Sequence, residues 1–178
     1  SVSAFLLNRS SDLEIRALIL VANRGTIYVA DGVTYKKVAD DTPIRIENDV
    51  SIIGQSMENT IISGNNTNRL FNVVSGNVYF ENLTIANAVR DTTANTASAA
   101  IVSTGNLNLK NVILANNTCG VAGAAVYATG GSLTVSDCIF INNTLAKSYS
   151  RSYGGGAIFS NKVPLSVKNS VISRSEER

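Results

Sequence analysis

Histidine and tryptophan are absent from this 178-residue chain, which holds only two prolines, two cysteines and one methionine. Without histidine, Ser-His-Asp triads, Cys-His dyads, His-ligated zinc and imidazole acid/base chemistry are excluded. Cys119 and Cys138 are too few for a disulfide scaffold, and one optional bridge between them suits either redox compartment. Charge is scarce as well: Lys, Arg, Asp and Glu make up 16% of the chain, against roughly 25% in an average soluble domain. A net charge of +2, with no stripe of Lys and Arg between aromatics, gives no electrostatic basis for binding nucleic acid. The longest apolar run, residues 17–22, falls far short of the ~18 needed to cross a bilayer, so no membrane span is expected. The first residues lack a basic segment followed by a long apolar one, so no signal peptide is expected. The missing initiator methionine points to a processed or excised chain.

What the chain has in excess is amide and hydroxyl: 21 Asn, 20 Ser and 14 Thr. An apolar fraction of 44% excludes wholesale disorder, and the length suits one domain, residues 1–178. Four segments align without gaps, 78–87, 107–116, 133–142 and 165–174, starting 29, 26 and 32 residues apart. In each, apolar residues stand at positions one and three, a polar Asn or Asp stands at five, and apolar character returns at six to eight. That pattern predicts two short period-2 strands around an Asn/Asp corner. A third strand is expected just before each block, at 71–74, 100–103, 125–128 and 157–160. No segment has the 3.6-residue period of a helical repeat. Three short strands per turn predict an all-β fold, a right-handed parallel β-helix of about five to six coils over residues 25–173.

Residues 50–54 with 60–64, and 25–32 with 43–46, read as earlier coils. Ahead of them Ser11-Asp-Leu-Glu14 is a capping box opening an apolar stretch that stops at a C-cap glycine, Gly25, so residues 11–24 are expected to form an N-terminal capping helix. Residues 174–178 lead out of an uncovered last coil, where the expectation is continuation in a parent protein or docking of a neighbouring subunit. Equivalent residues of successive coils stack about 4.8 Å apart, so alignment columns become ladders. Asn82, Asn111, Asp137 and Asn169 share the corner column and are expected to form a structural amide ladder there. Glu81 and Lys110 pair one rung apart.

Gly155-Gly156-Ala157-Ile158 and Phe140-Ile141-Asn142-Asn143 resemble the GGA(I/L/V) and FxxN repeats of the chlamydial polymorphic outer membrane protein family and related adhesin-like β-helices. The segment Gly25-Thr-Ile-Tyr-Val-Ala-Asp-Gly32, after a helix, resembles the opening of pectate-lyase-like β-helices. The resemblance spans roughly residues 11–173. It implies the solenoid fold and a place at the cell surface or outside the cell.

Enzymes on this superfold cluster carboxylates on one face, and a two-carboxylate glycosidase needs its pair within about 5–9.5 Å. The aligned coils hold only Glu81, Asp91 and Asp137 as acids. Asp40-Asp41 with Glu47 and Asp49 is the densest acidic group, readable as a cation site or as a solvated loop. No catalytic residue, metal or cofactor is therefore expected. Cys138 shares the inward column of Leu83 and Val112 and reads as a small core residue. Asn-X-Ser/Thr sequons occur at Asn8, Asn65, Asn82, Asn116 and Asn142.

Length variation falls at one corner. Asn87 to Ala100 is 13 positions, Asn116 to Ala125 nine, and Asn142 to Ala157 fifteen. Insertions of about four and six residues should then protrude from one edge, roughly 10 Å apart. They carry the expected contact residues Arg90, Asp91, Lys147, Tyr149, Arg151 and Tyr153, types favoured at interfaces. The expected function is a non-catalytic structural and adhesion module whose edge loops meet a protein or glycan surface ligand. The alternative is a polysaccharide lyase or hydrolase.

Overall fold

A computed structural model describes residues 3–6, 19, 24–31, 34–36, 42–90, 100–146 and 154–177. In chain order β1 (Ser3–Leu6), β2 (Gly25–Val29), β3 (Thr34–Lys36), β4 (Ile44–Ile46), β5 (Val50–Gly54), β6 (Ile61–Ser63) and β7 (Phe71–Val73) lead into the ten-residue β8 (Asn77–Ala86). β9 (Ile101–Ser103), β10 (Asn106–Ala115), β11 (Thr118–Cys119), β12 (Val126–Ala128), β13 (Leu133–Ser136) and β14 (Ile139–Ile141) follow. β15 (Thr144–Leu145), β16 (Ile158–Ser160), β17 (Leu165–Lys168), β18 (Val171–Ser173) and β19 (Glu176–Glu177) complete the order.

Among the described residues every strand pairing is parallel and joins one coil to the next, which makes the protein an all-β parallel solenoid of about four turns. The largest sheet runs β1-β2-β5-β8-β10-β13-β17, with β3, β6, β14 and β18 attached beyond the bend in the long strands β8 and β10. A second sheet is β16-β12-β9-β7-β4 and a third is β11-β15-β19. The expected block and third-strand positions match these elements closely, because period-2 burial leaves little freedom of register.

The described residues form about four turns against the expected five to six, and residues 32–33 and 37–41 lie outside them. Of the expected cap at 11–24 only Ile19 and Arg24 are described, and Ile19 is buried in the core. An element the repeat pattern did not foretell, β1, pairs in register with β2 from Ser3↔Thr26 to Leu6↔Val29 and covers that edge of the first sheet.

The core is a stack of columns. Ile27, Ile52, Phe80, Leu109 and Val135 follow one another in register, each 0–1% exposed. Ile44, Phe71, Ile101 and Val126 do the same in the second sheet. Phe71 and Phe80 meet across the interior with ring centroids 4.8 Å apart and planes tilted by 56°, joining the two sheets. Each such side chain contributes about 1.5–3 kcal/mol through burial. The dependence on neighbours shows at β17 and β18, where Leu165, Val167 and Ile172 stand 48%, 44% and 54% exposed in columns that are otherwise closed.

Candidate functional site

The corners position everything on the surface. Asn82, Asn111, Asp137 and Asn169 all have left-handed backbone, with φ of 57°, 52°, 55° and 48°. Asn and Asp tolerate that region better than other non-glycine residues, which explains the residue type at the bend. Asn111 Nδ2 donates to Asn82 Oδ1 at 2.6 Å, and Asn82 Nδ2 donates to the carbonyls of Gly54 and Gln55. The next corner repeats the device with Asn87, Asn116, Asn142 and Arg174, φ 50–56°. There Asn142 Nδ2 donates to Asn116 Oδ1 at 3.2 Å.

A buried amide ladder lies one residue further on. Asn117 and Asn143 are both 0% exposed. Asn117 donates to Asn143 Oδ1 through Nδ2 at 2.9 Å and through its backbone N–H at 3.3 Å. Asn143 Nδ2 donates to the Leu114 carbonyl at 2.9 Å, and Asn117 Oδ1 accepts from the Ala88 N–H. The Asn-Asn doublets at 116–117 and 142–143 are its trace in the sequence, one amide outward and one inward. A fourth ladder runs outside: Ser132 Oγ donates to Asn106 Oδ1, Asn106 Nδ2 to Asn77 Oδ1, and Asn77 Nδ2 to Asp49 Oδ1.

The two long connections start and finish on this frame. Val89 bridges to Thr118, and the Arg90 N–H donates to the Thr118 carbonyl, just before residues 91–99. The Ala146 N–H donates to the Cys119 carbonyl just before residues 147–153, after which Gly154 bridges to Ala122. Between these rungs the short connection, residues 120–124, is buried throughout. Of the six expected contact residues Arg90 is described, half-buried at the departure point. Asp91, Lys147, Tyr149, Arg151 and Tyr153 lie outside the described residues.

The described carboxylates Glu81, Glu47, Asp49 and Asp31 each have a partner of their own. Lys110 Nζ donates to Glu81 at 2.7 Å, which holds the ammonium above its ordinary pKa. Arg45 donates to Glu47 at 2.9 Å. Asp49 Oδ1 accepts from the Asn77 N–H at 2.8 Å; that bond, with the Asn77 amide and the nearby Arg24, lowers the Asp49 pKa. Asp40 and Asp41 fall outside the described residues, and among those described no three His, Cys, Asp or Glu residues gather as a metal would require. Asp31 accepts from Ser56 Oγ at 2.7 Å and Thr60 Oγ1 at 2.9 Å, a knot that ties the 55–60 turn to the preceding coil. Cys119 and Cys138 are both buried and unbridged. The Cys138 thiol donates to the Ser136 carbonyl, and burial raises its pKa.

Among the described residues no helix is long and apolar enough to cross a membrane. Compared with protein-family models, curated proteins and solved structures, the chain gives no match.

Proposed function

We propose that the chain is a non-catalytic structural and adhesion module of a surface or extracellular protein, a rigid solenoid that presents edge loops to a protein or glycan partner. The observation that carries this reading is that both long connections leave and return at one edge, on rungs that flank a buried short connection. Rigid scaffolds with loops at one edge are a common arrangement for binding surfaces. The GGA and FxxN motifs lend the reading further support through their likeness to adhesin-like β-helices.

The test shortens both long connections together to the nine-position length found between Asn116 and Ala125, by deleting four residues from 91–99 and six from 147–153. Circular dichroism should report an intact solenoid, since the bonds made by Ala88, Arg90, Thr144 and Ala146 are all retained. Cell adhesion or partner capture should be lost, most of it through Tyr149, Arg151 and Tyr153. Binding that survives in a folded, shortened variant refutes the loop reading.

A further inference from the structure

A groove opens on the outer face of the first sheet, on rungs that precede the two long connections. It has a volume of about 280 Å³ and is lined by Arg24, Thr26, Asp49, Ser51, Asn77 and Tyr79. Thr26, Ser51 and Tyr79 are register partners on β2, β5 and β8, so the groove runs along the solenoid axis across three rungs. Arg24 and Asp49 are tied by the Arg24 N–H donating to the Asp49 carbonyl, and they also line a second depression of about 360 Å³ around the corner, with Glu47, Asn48 and Gly76.

The chemistry of the lining is specific. Asp49 Oδ1 is occupied by the two Asn77 donors, and among the described residues Oδ2 has no partner. The Arg24 cation balances the Asp49 anion, while Glu47 is engaged by Arg45. The remaining groups are hydroxyls and an amide, and the Tyr79 ring is 46% exposed at one end. A ligand matching this has no net charge, several hydroxyls to share between a carboxylate oxygen and a guanidinium, and an apolar face to lie on a ring. A nucleic acid would need excess positive charge, and a peptide would need an apolar pocket or an unpaired strand edge; the groove has neither.

We propose that this groove binds a neutral oligosaccharide laid along the solenoid axis. The Tyr79 ring carries the C–H face of one sugar, and Asp49 Oδ2 and Arg24 take the hydroxyls of the adjoining one. The span of three rungs, with a second depression continuing from the same Arg24 and Asp49, fits more than one ring. This site is independent of the loop reading.

Affinity electrophoresis of the 178-residue chain through gels holding neutral polymers (hydroxyethylcellulose, xylan, galactomannan, laminarin and soluble starch) tests it, with polygalacturonate as the acidic comparison. At least one neutral polymer should retard the protein. Tyr79→Ala should weaken that retardation at least tenfold with an unchanged melting temperature, because the ring points away from the core. Ser51→Arg, which fills the groove and leaves Tyr79 in place, should do the same. The variant shortened within 91–99 and 147–153 should still be retarded. The proposal is overturned by no retardation in any neutral gel, by retardation in polygalacturonate alone, by persistence in Tyr79→Ala or Ser51→Arg, or by loss on loop shortening.

Discussion

Replacing Asn143 with Leu probes the buried amide ladder directly. Leucine keeps the branching and heavy-atom count of asparagine, although its methyl groups are bulkier, and Asn143 lacks the left-handed backbone of its neighbour Asn142, so no backbone strain is added. Four groups lose a partner: the Asn117 N–H, the Asn117 amide, the Leu114 carbonyl and Ser175 Oγ, the last of which keeps its bonds to the Asn143 N–H and the Ser173 carbonyl. The Asn117 amide still donates to the Ile85 carbonyl at 3.3 Å, and the Leu114 carbonyl lies inside β10, paired with β14, so the Asn117 N–H bears the full loss. A buried polar group without a partner costs about 1–3 kcal/mol, and overpacking by the bulkier leucine typically another 1–3, so Asn143→Leu should destabilise by about 2–6 kcal/mol. That is a large part of the roughly 5–15 kcal/mol that holds an ordinary domain folded. Asn111→Leu is the comparison. Its corner is half exposed, so water replaces part of the lost bonding, and the cost, including a leucine forced to φ near 52°, should be about 1–3 kcal/mol. Urea unfolding followed by far-ultraviolet circular dichroism and by tyrosine fluorescence measures both, with coincident midpoints required before a free energy is extracted. A loss below about 1 kcal/mol for Asn143→Leu, or a larger loss for Asn111→Leu, would refute the reasoning.

Cys138, 1% exposed and with its pKa raised by burial, should react with a thiol reagent only at the rate of unfolding; fast labelling of the native protein would place it outside the core. Gly131 has φ +65° and a Cβ there would stand 2.3 Å from the Gly105 carbonyl oxygen, whereas Gly154, at φ +89°, has nothing within 4 Å. Thermal unfolding should therefore show Gly131→Ala as clearly the more damaging of the two, by more than about 1 kcal/mol. The lowered Asp49 pKa makes its contribution to stability fully present above the ordinary aspartate pKa of about 3.9 and lost as pH falls through the lower folded value. Asp49→Asn should thus narrow the stability difference between neutral pH and pH 3, and an unaltered acid limb of the stability curve would contradict this.

The four aligned blocks made β8, β10, β13 with β14, and β17 with β18 legible, because alternate burial on both sides of an Asn corner leaves one register. The short strands β11, β15 and β19 were not legible. Two residues such as Thr118 and Cys119 carry no period and pair only because Thr144 and Leu145 lie on the next coil. β1 stands outside the repeat and, among the described residues, pairs with β2. The inward turn of Asn117 and Asn143 was hidden for another reason: asparagine reads as a surface residue, and only the recurrence of the doublet after 26 positions distinguishes it. Of the surface sites, the edge where length varies was visible as arithmetic on connection lengths. The groove at Tyr79 was not, since Arg24, Asp49 and Tyr79 are brought together only by the register of three rungs.

The outer amide ladder from Ser132 to Asp49 has a direction. Each side chain donates to the coil before it, Ser132 to Asn106, Asn106 to Asn77, Asn77 to Asp49, and the sequence of donors stops at a carboxylate, which can only accept. Asn111 to Asn82 and Asn142 to Asn116 point the same way. A chain emerging from the ribosome completes its N-terminal coils first, so in these outer ladders each new coil arrives with side-chain donors and finds acceptors already fixed, whereas the buried Asn117 donates forward to Asn143. Assembly in that order never leaves an outer amide waiting for a partner still to be synthesised. Asp49 is the foundation stone of that process, and the solenoid can be lengthened a coil at a time without disturbing what lies beneath.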